Sequence, residues 1–173
     1  MNKKIVVIGG SASGPKAAAR ARRLDQNAEI TLIQKDSHLS MASCGYPYYI
    51  GGSFDNRNAL ISTGSGAIRD PKYFLDVKNI VAKVDTLVTS IDRKNHQVTC
   101  RHNVSNQVET ISYDKLILAT GASAKKPPIE GLELEGVTHL QSMADTDYLR
   151  KISERGMVEK AVIIGGGLIG MEM

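Results

Sequence analysis

The residue best suited to redox chemistry is Cys44, in the run Ser40-Met41-Ala42-Ser43-Cys44-Gly45-Tyr46-Pro47-Tyr48-Tyr49. The second cysteine, Cys100, lies far along the chain, so no local disulfide can form around Cys44. A thiolate without a resolving partner works singly, through a mixed disulfide, a persulfide or a sulfenic acid. It needs a lowered pKa, which a helix N-terminus or a nearby cation supplies. Ser40 is expected to cap a short helix carrying the cysteine, and Gly45 and Pro47 to break it. The competing reading is a small buried residue, since free cysteine is among the most buried types. For Cys100 that reading holds, because it ends the alternating run His96-Gln97-Val98-Thr99-Cys100.

About thirty residues upstream stands a turn that can hold phosphate. Lys4-Ile5-Val6-Val7-Ile8 reads as a buried parallel strand, Pro15 to Leu24 as a helix and Ala28 to Ile33 as a second strand. Between the first strand and the helix lie Gly9, Gly10, Ser11, Ala12, Ser13 and Gly14. Backbone N–H groups and a helix N-terminus there suit a pyrophosphate. The match to GxGxxG has Ser11 in the middle position, so a plain tight turn competes with the nucleotide reading. An acidic residue should grip the ribose about twenty residues after the last glycine. Gln34 stands there; its amide oxygen can accept one hydroxyl without the help of charge, and Asp36 can substitute.

On the helix, Ala17, Ala18, Ala21 and Leu24 share a face for the sheet, while Lys16, Arg20 and Arg23 share another. The basic face is either solvated or a track for a polyanionic substrate.

A second turn closes the chain. Ala161 to Ile164 reads as a strand leading into Gly165-Gly166-Gly167-Leu168-Ile169-Gly170, with Gly165, Gly167 and Gly170 completing GxGxxG. Two such turns imply two dinucleotides.

Taken together, SMASCGYPYYIGG and the two turns resemble the single-cysteine pyridine nucleotide-disulfide oxidoreductases, over nearly the whole chain. That group includes coenzyme A-disulfide reductases, NAD(P)H-dependent persulfide reductases and NADH oxidases. The resemblance implies an α/β, Rossmann-like FAD/NAD(P)-binding fold with a parallel sheet and an inserted antiparallel β-meander. It implies FAD at the first turn, NADH or NADPH at the second, and electrons passing to Cys44 and a thiol or disulfide substrate. The FAD contacts it implies are Gly9 through Gly14, Gln34, Lys35, Ser43, Val88, Ala119, Thr120 and Gly121. Position 34 is Glu in most relatives. Lys16, Arg20, Arg23, Ser40, Ser43 and Lys78 match residues that contact coenzyme A in its disulfide reductases. Ser43 replaces an Asn and Lys16 a smaller polar residue. In place of disulfide reduction, the resemblance also allows an NADH oxidase with a Cys44 sulfenic acid, and a nucleotide-binding fragment without activity. A homodimer is implied for the complete protein.

Composition narrows the classes. The 173 residues, 42% hydrophobic and 23% charged, suit a globular protein. The +4 charge comes with only 5% aromatics, which speaks against nucleic acid. No apolar run approaches a membrane span, and neither a secretion signal before IVVIGG nor a metal site is expected. Two cysteines fit a reducing cytoplasm.

The rest of the chain organises as follows. Residues 1–121 are expected to form the first stretch of the FAD domain, 122–150 a crossover with a connecting helix, and 151–173 the start of a truncated NAD(P)H domain. Thr63 to Ala67 is expected as a flexible surface loop, and Asp70-Pro71 as the start of a helix through Val77. Ile80 to Asp92, His96 to Arg101 and Val108 to Ser112 read as strands, the last two a hairpin. Tyr113 to Ala122 reads as a buried strand ending in a Gly turn, and residues 124–131 as a stiff proline-rich crossover. Ser142-Met143-Ala144-Asp145 matches a capping box opening a helix to about Arg155.

Overall fold

The first strand, β1 (Lys4–Ile8), is bounded by α1 (Ser13–Leu24) and pairs in parallel with β2 (Glu29–Ile33). Parallel neighbours need a crossover, and α1 provides it. After it come α2 (Tyr46–Ile50), α3 (Pro71–Lys78), β3 (Val81–Lys83), β4 (Thr86–Asp92), β5 (Gln97–His102), β6 (Val108–Ser112), β7 (Lys115–Leu118), α4 (Met143–Arg155) and α5 (Leu168–Glu172). This is a computed structural model that describes residues 2–156 and 158–173. The chain divides into two units, one of residues 1–41 and 61–121, the other of residues 42–60 and 122–173.

In the first unit β3, β2, β1 and β7 form a four-stranded parallel sheet in that order, and β4, β5 and β6 form an antiparallel meander. Strand alternation sorts the apolar residues into two layers. Ile5, Val7, Ile30 and Leu32 face Ala18 of α1 and Phe74 of α3. Val6, Ile8 and Ile33 face Val98 and Cys100 of β5. Alanines in α1 let the helix lie close to the sheet. Leu24, expected on the same face, is 70% exposed, because it ends the helix beyond the buried Ala18 and half-buried Ala21.

Two further expectations need correction in this unit. Ile80 to Asp92 is two strands, not one. The backbone turns at Asp85 with φ +49°, so β3 joins the parallel sheet and β4 the meander. The strand after Tyr113 is only partly buried, with Leu118 at 62% exposure, because it is an edge of the sheet. The surface loop expected at Thr63 to Ala67 is present, exposed over residues 64–67, with the Thr63 N–H on the Ala67 carbonyl at 2.8 Å and a Ser62–Ile68 bridge at its base. The meander and the α3 start, with Asp70 accepting from the Tyr73 N–H, stand as expected.

The second unit is mainly helical. A 3-10 turn (Ser43–Gly45) runs straight into α2, and the Ala42 N–H donates to the Leu60 carbonyl at 2.8 Å, closing the segment at its base. Helix α4 starts at the expected capping box, with Ser142 and Asp145 bonded in both directions. Residues 161–164 are not a strand. Parallel pairing needs a neighbouring strand, and among the described residues none pairs with them; Val162 is 89% exposed. No helix among the described residues is long and apolar enough to cross a membrane.

Candidate functional site

The first glycine turn is shaped by close backbone approach. Gly9 has φ +109°, in the region that favours glycine. A Cβ there would collide with the carbonyl of Ala119, and one on Gly14 would collide with the Gly9 carbonyl oxygen. The Ala119 N–H donates to the Ile8 carbonyl at 2.8 Å, so the end of β7 at Ala119 and Thr120 lies directly beside the turn. Gly10 is engaged twice: its N–H donates to Gln34 Oε1 at 2.9 Å, and its carbonyl accepts from the Ser40 N–H at 2.7 Å. Gly9, Gly10, Gly14, Gln34, Ser40, Ala119 and Thr120 are thus brought together.

Helix α1 begins at this turn without a side-chain cap or an acidic residue in its first turn. Helices α3 and α4, by contrast, are capped by Asp70 and by Ser142 with Asp145. An uncapped helix behind a side-chain-free cradle is the geometry a pyrophosphate takes. Ser11, Ala12 and Ser13 are exposed on this turn. The residues present therefore fit a dinucleotide.

The expected ribose residue behaves differently from its sequence reading. Gln34 is 4% exposed, its amide oxygen is occupied by Gly10, and its amide nitrogen donates to Asp36 Oδ2 at 3.2 Å. Lys35 projects into solvent, while its carbonyl accepts from Asn103 Nδ2 at 2.8 Å. Val88 packs into the apolar layer between the two sheets, and Gly121 sits exposed with φ +66°.

Of the basic residues, Lys16, Arg20 and Arg23 are exposed along α1, and Lys78 is half-buried as the last residue of α3. Ser40 does not cap the cysteine's helix. It adopts φ +52°, and Arg69 Nη1 donates to its carbonyl at 2.9 Å. Arg69 escaped the sequence reading because it lies 29 residues away in a loop without a motif.

In the second unit Cys44 is exposed and free, in the 3-10 turn that leads into α2. Its neighbours Ser43 and Gly45 share the turn. A Cβ on Gly45 would come within 2.8 Å of Leu60 Cδ2, so the small residue lets Leu60 pack beneath. Pro47 does not break the helix but stands in its first turn, where the missing N–H costs nothing. Helix α4 pins the segment that follows. Arg150 Nη1 donates to the Tyr49 carbonyl at 2.8 Å, Nη2 pairs with Asp55 at 2.7 Å, and Arg57 pairs with Asp147 at 2.9 Å. These partners lie about a hundred residues apart, and nothing local signals them.

The second glycine turn repeats the first. Gly165 has φ +115°, and a Cβ on Gly170 would collide with the Gly165 carbonyl oxygen, as Gly14 would with Gly9. Gly167 stands at the start of α5.

Cys100 is the opposite of Cys44. It is fully buried in β5, and burial, with Glu109 adding to it, pushes its thiol up to about 11. It is no nucleophile at neutral pH.

The sequence profile of the family described as "Pyridine nucleotide-disulphide oxidoreductase" matches residues 3–173. The chain belongs to this family. As a family member it is 34% identical over 171 residues to the coenzyme A disulfide reductase of Staphylococcus haemolyticus, covering 99% of this chain and 37% of that protein. It is 31% identical over 170 residues to the NADH oxidase of Methanocaldococcus jannaschii, covering 98% of this chain and 36% of that one. Among solved structures, a NAD-dependent persulfide reductase from A. fulgidus matches with a TM-score of 0.92 at 44% identity, over 98% of this chain and 31% of that chain. The chain therefore spans little more than a third of the curated relatives it matches. The expected Rossmann-like oxidoreductase fold, with its parallel sheet and separate antiparallel sheet, is borne out.

Proposed function

We propose that this chain is the flavin-side portion of an FAD-dependent NAD(P)H oxidoreductase that reduces a disulfide or persulfide at Cys44. The observation that carries the reading is the exposed, unpaired Cys44 in its helical turn. The relatives named for coenzyme A disulfide and persulfide reduction support it. Residues 1–121 supply the first FAD segment, and 151–173 open the NAD(P)H domain.

FAD, when bound, supplies a two-electron relay from NADH or NADPH to sulfur. Gly9, Gly10 and Gly14 would admit its pyrophosphate to the backbone, Ser11, Ala12 and Ser13 would offer it the start of α1, and Ala119, Thr120 and Gly121 would line it from the neighbouring strand end. Lys35, Val88 and Ser43 would be further contacts. Gly165, Gly167 and Gly170 would do the same phosphate work for the nicotinamide dinucleotide. Cys44 thiolate attacks one sulfur of a disulfide, forming a mixed disulfide and expelling the other half as a thiolate. Two-electron reduction of that mixed disulfide returns the Cys44 thiolate and releases the second thiol. Lys16, Arg20, Arg23 and Lys78 favour an anionic thiol such as coenzyme A, with Ser40 and Ser43 as polar contacts. A homodimer is the expected state of the complete protein, and two free thiols suit the cytoplasm.

The test is Cys44→Ser in the full-length enzyme. It should abolish disulfide and persulfide reduction while leaving flavin reduction by NAD(P)H intact; full turnover would sink the reading. Arg20→Ala with Arg23→Ala should raise KM for coenzyme A disulfide more than for a small uncharged disulfide, and less so in high salt. The M. jannaschii relative favours a second reading, in which Cys44 cycles as a sulfenic acid with oxygen as acceptor. NADH-dependent oxygen consumption lost in Cys44→Ser would support it.

A further inference from the structure

We infer that Asp36, oriented by Gln34, is the group that grips the adenosine ribose of the dinucleotide at the first turn. This rests on FAD occupying that turn. In a nucleotide-binding βαβ unit the ribose diol is read by an acidic side chain about twenty residues past the last glycine. Gln34 holds that place but is already committed. Its oxygen accepts the Gly10 N–H at 2.9 Å, and its nitrogen donates to Asp36 Oδ2 at 3.2 Å. Its backbone is fixed as well, the N–H on the Lys83 carbonyl at 2.8 Å and the carbonyl on the Thr86 N–H at 2.9 Å. What remains on Gln34 is one lone pair and one N–H, with no charge to strengthen either.

Asp36 is exposed, and only Oδ2 meets a protein donor among the described residues. A carboxylate accepts from hydroxyls more strongly than an amide does. Gln34 strings this carboxylate to Gly10, one residue into the turn that takes the pyrophosphate. The amide also explains the chemistry of position 34. A donor there steadies Asp36, whereas a glutamate would set two carboxylates face to face at the 3.2 Å contact. The two positions act as a pair: neutral donor at 34, charged acceptor at 36.

The experiment uses the full-length protein stripped of flavin, titrated with FAD and with FAD carrying 2′-deoxyadenosine, with flavin fluorescence as the readout. Wild type should prefer FAD by about tenfold, the size of one charge-assisted hydrogen bond. Asp36→Asn should lose most of that preference while binding the deoxy form as wild type does. Gln34→Glu should weaken FAD binding. Overturning results are an Asp36→Asn protein that keeps the full preference or loses both forms equally, and a Gln34→Glu protein that binds FAD more tightly. A wild type that takes up neither form would overturn the flavin reading itself, and this inference with it.

Discussion

Arg150 donates to the backbone carbonyl of Tyr49 while its guanidinium lies 5.4 Å from the centre of the same residue's ring. One side chain of α4 therefore holds both the main chain and the side chain of the residue that follows the cysteine turn by a few positions. Arg150→Lys keeps the charge but loses the fork and the flat face. Both Arg150→Lys and Arg150→Ala should lower the Tm, the alanine variant by about 2–4 °C. Asp55→Ala should do almost nothing, because that carboxylate is 90% exposed and such pairs contribute little. Differential scanning calorimetry of the three variants checks the order.

Gly9→Ala and Gly14→Ala should each cost more than about 3 kcal/mol, since an added methyl meets backbone that cannot yield. Gly64→Ala, with nothing within 4 Å of the new methyl, should stay within about 0.5 kcal/mol of wild type. Chemical denaturation separates the two classes.

At pH 8 a thiol reagent should label Cys44 alone, and both cysteines once the chain is denatured. The buried Cys100 also makes a pH prediction. Its folded value of about 11 lies above the ordinary 9.0, so the folded state holds the proton more tightly. Its contribution is complete below pH 9 and is lost as pH rises towards 11. The loss should approach roughly 2–3 kcal/mol. Cys100→Ala should flatten that part of the stability curve, whatever it costs in packing.

The capping box predicts the opposite slope. Burial works against the Asp145 charge, but the Ser142 and Gln141 donors outweigh it and hold its carboxyl below the usual range. Its contribution is present above the ordinary carboxylate pKa and is lost as pH falls through the lowered one. Ser142→Ala should cost about 1 kcal/mol at neutral pH, with a lower Tm as readout.

Periodic features were legible in the sequence. The β-branched run at Ile5, the glycine spacing after it and the Ser142 box each carry their signal within a few residues. What failed depends on distant partners. Ile80 to Asp92 is apolar enough throughout to pass for one strand, and the left-handed Asp85 that divides it between two sheets bears no glycine to mark it. Ser40 looks like a cap, but the Gly10 carbonyl and Arg69 hold it in a left-handed bend. Pro47 reads equally as a helix breaker or a helix starter, and only the turn before it decides. The occupied oxygen of Gln34 is likewise invisible, because spacing locates a residue and not its bonds.

The two glycine turns are copies at a constant offset: Val7 to Ile163, Gly9 to Gly165 and Gly14 to Gly170 are each 156 residues apart. A Cβ on Gly14 would lie 3.4 Å from Val7 Cγ1, and one on Gly170 would lie 3.3 Å from Ile163 Cγ2. Two sockets with the same backbone outline cannot tell their guests apart by the phosphates, which every dinucleotide shares. Discrimination has to be delegated to whatever meets the sugar and the ring. An exchange of the two hexapeptides between the sockets should therefore leave each socket's choice of nucleotide unchanged.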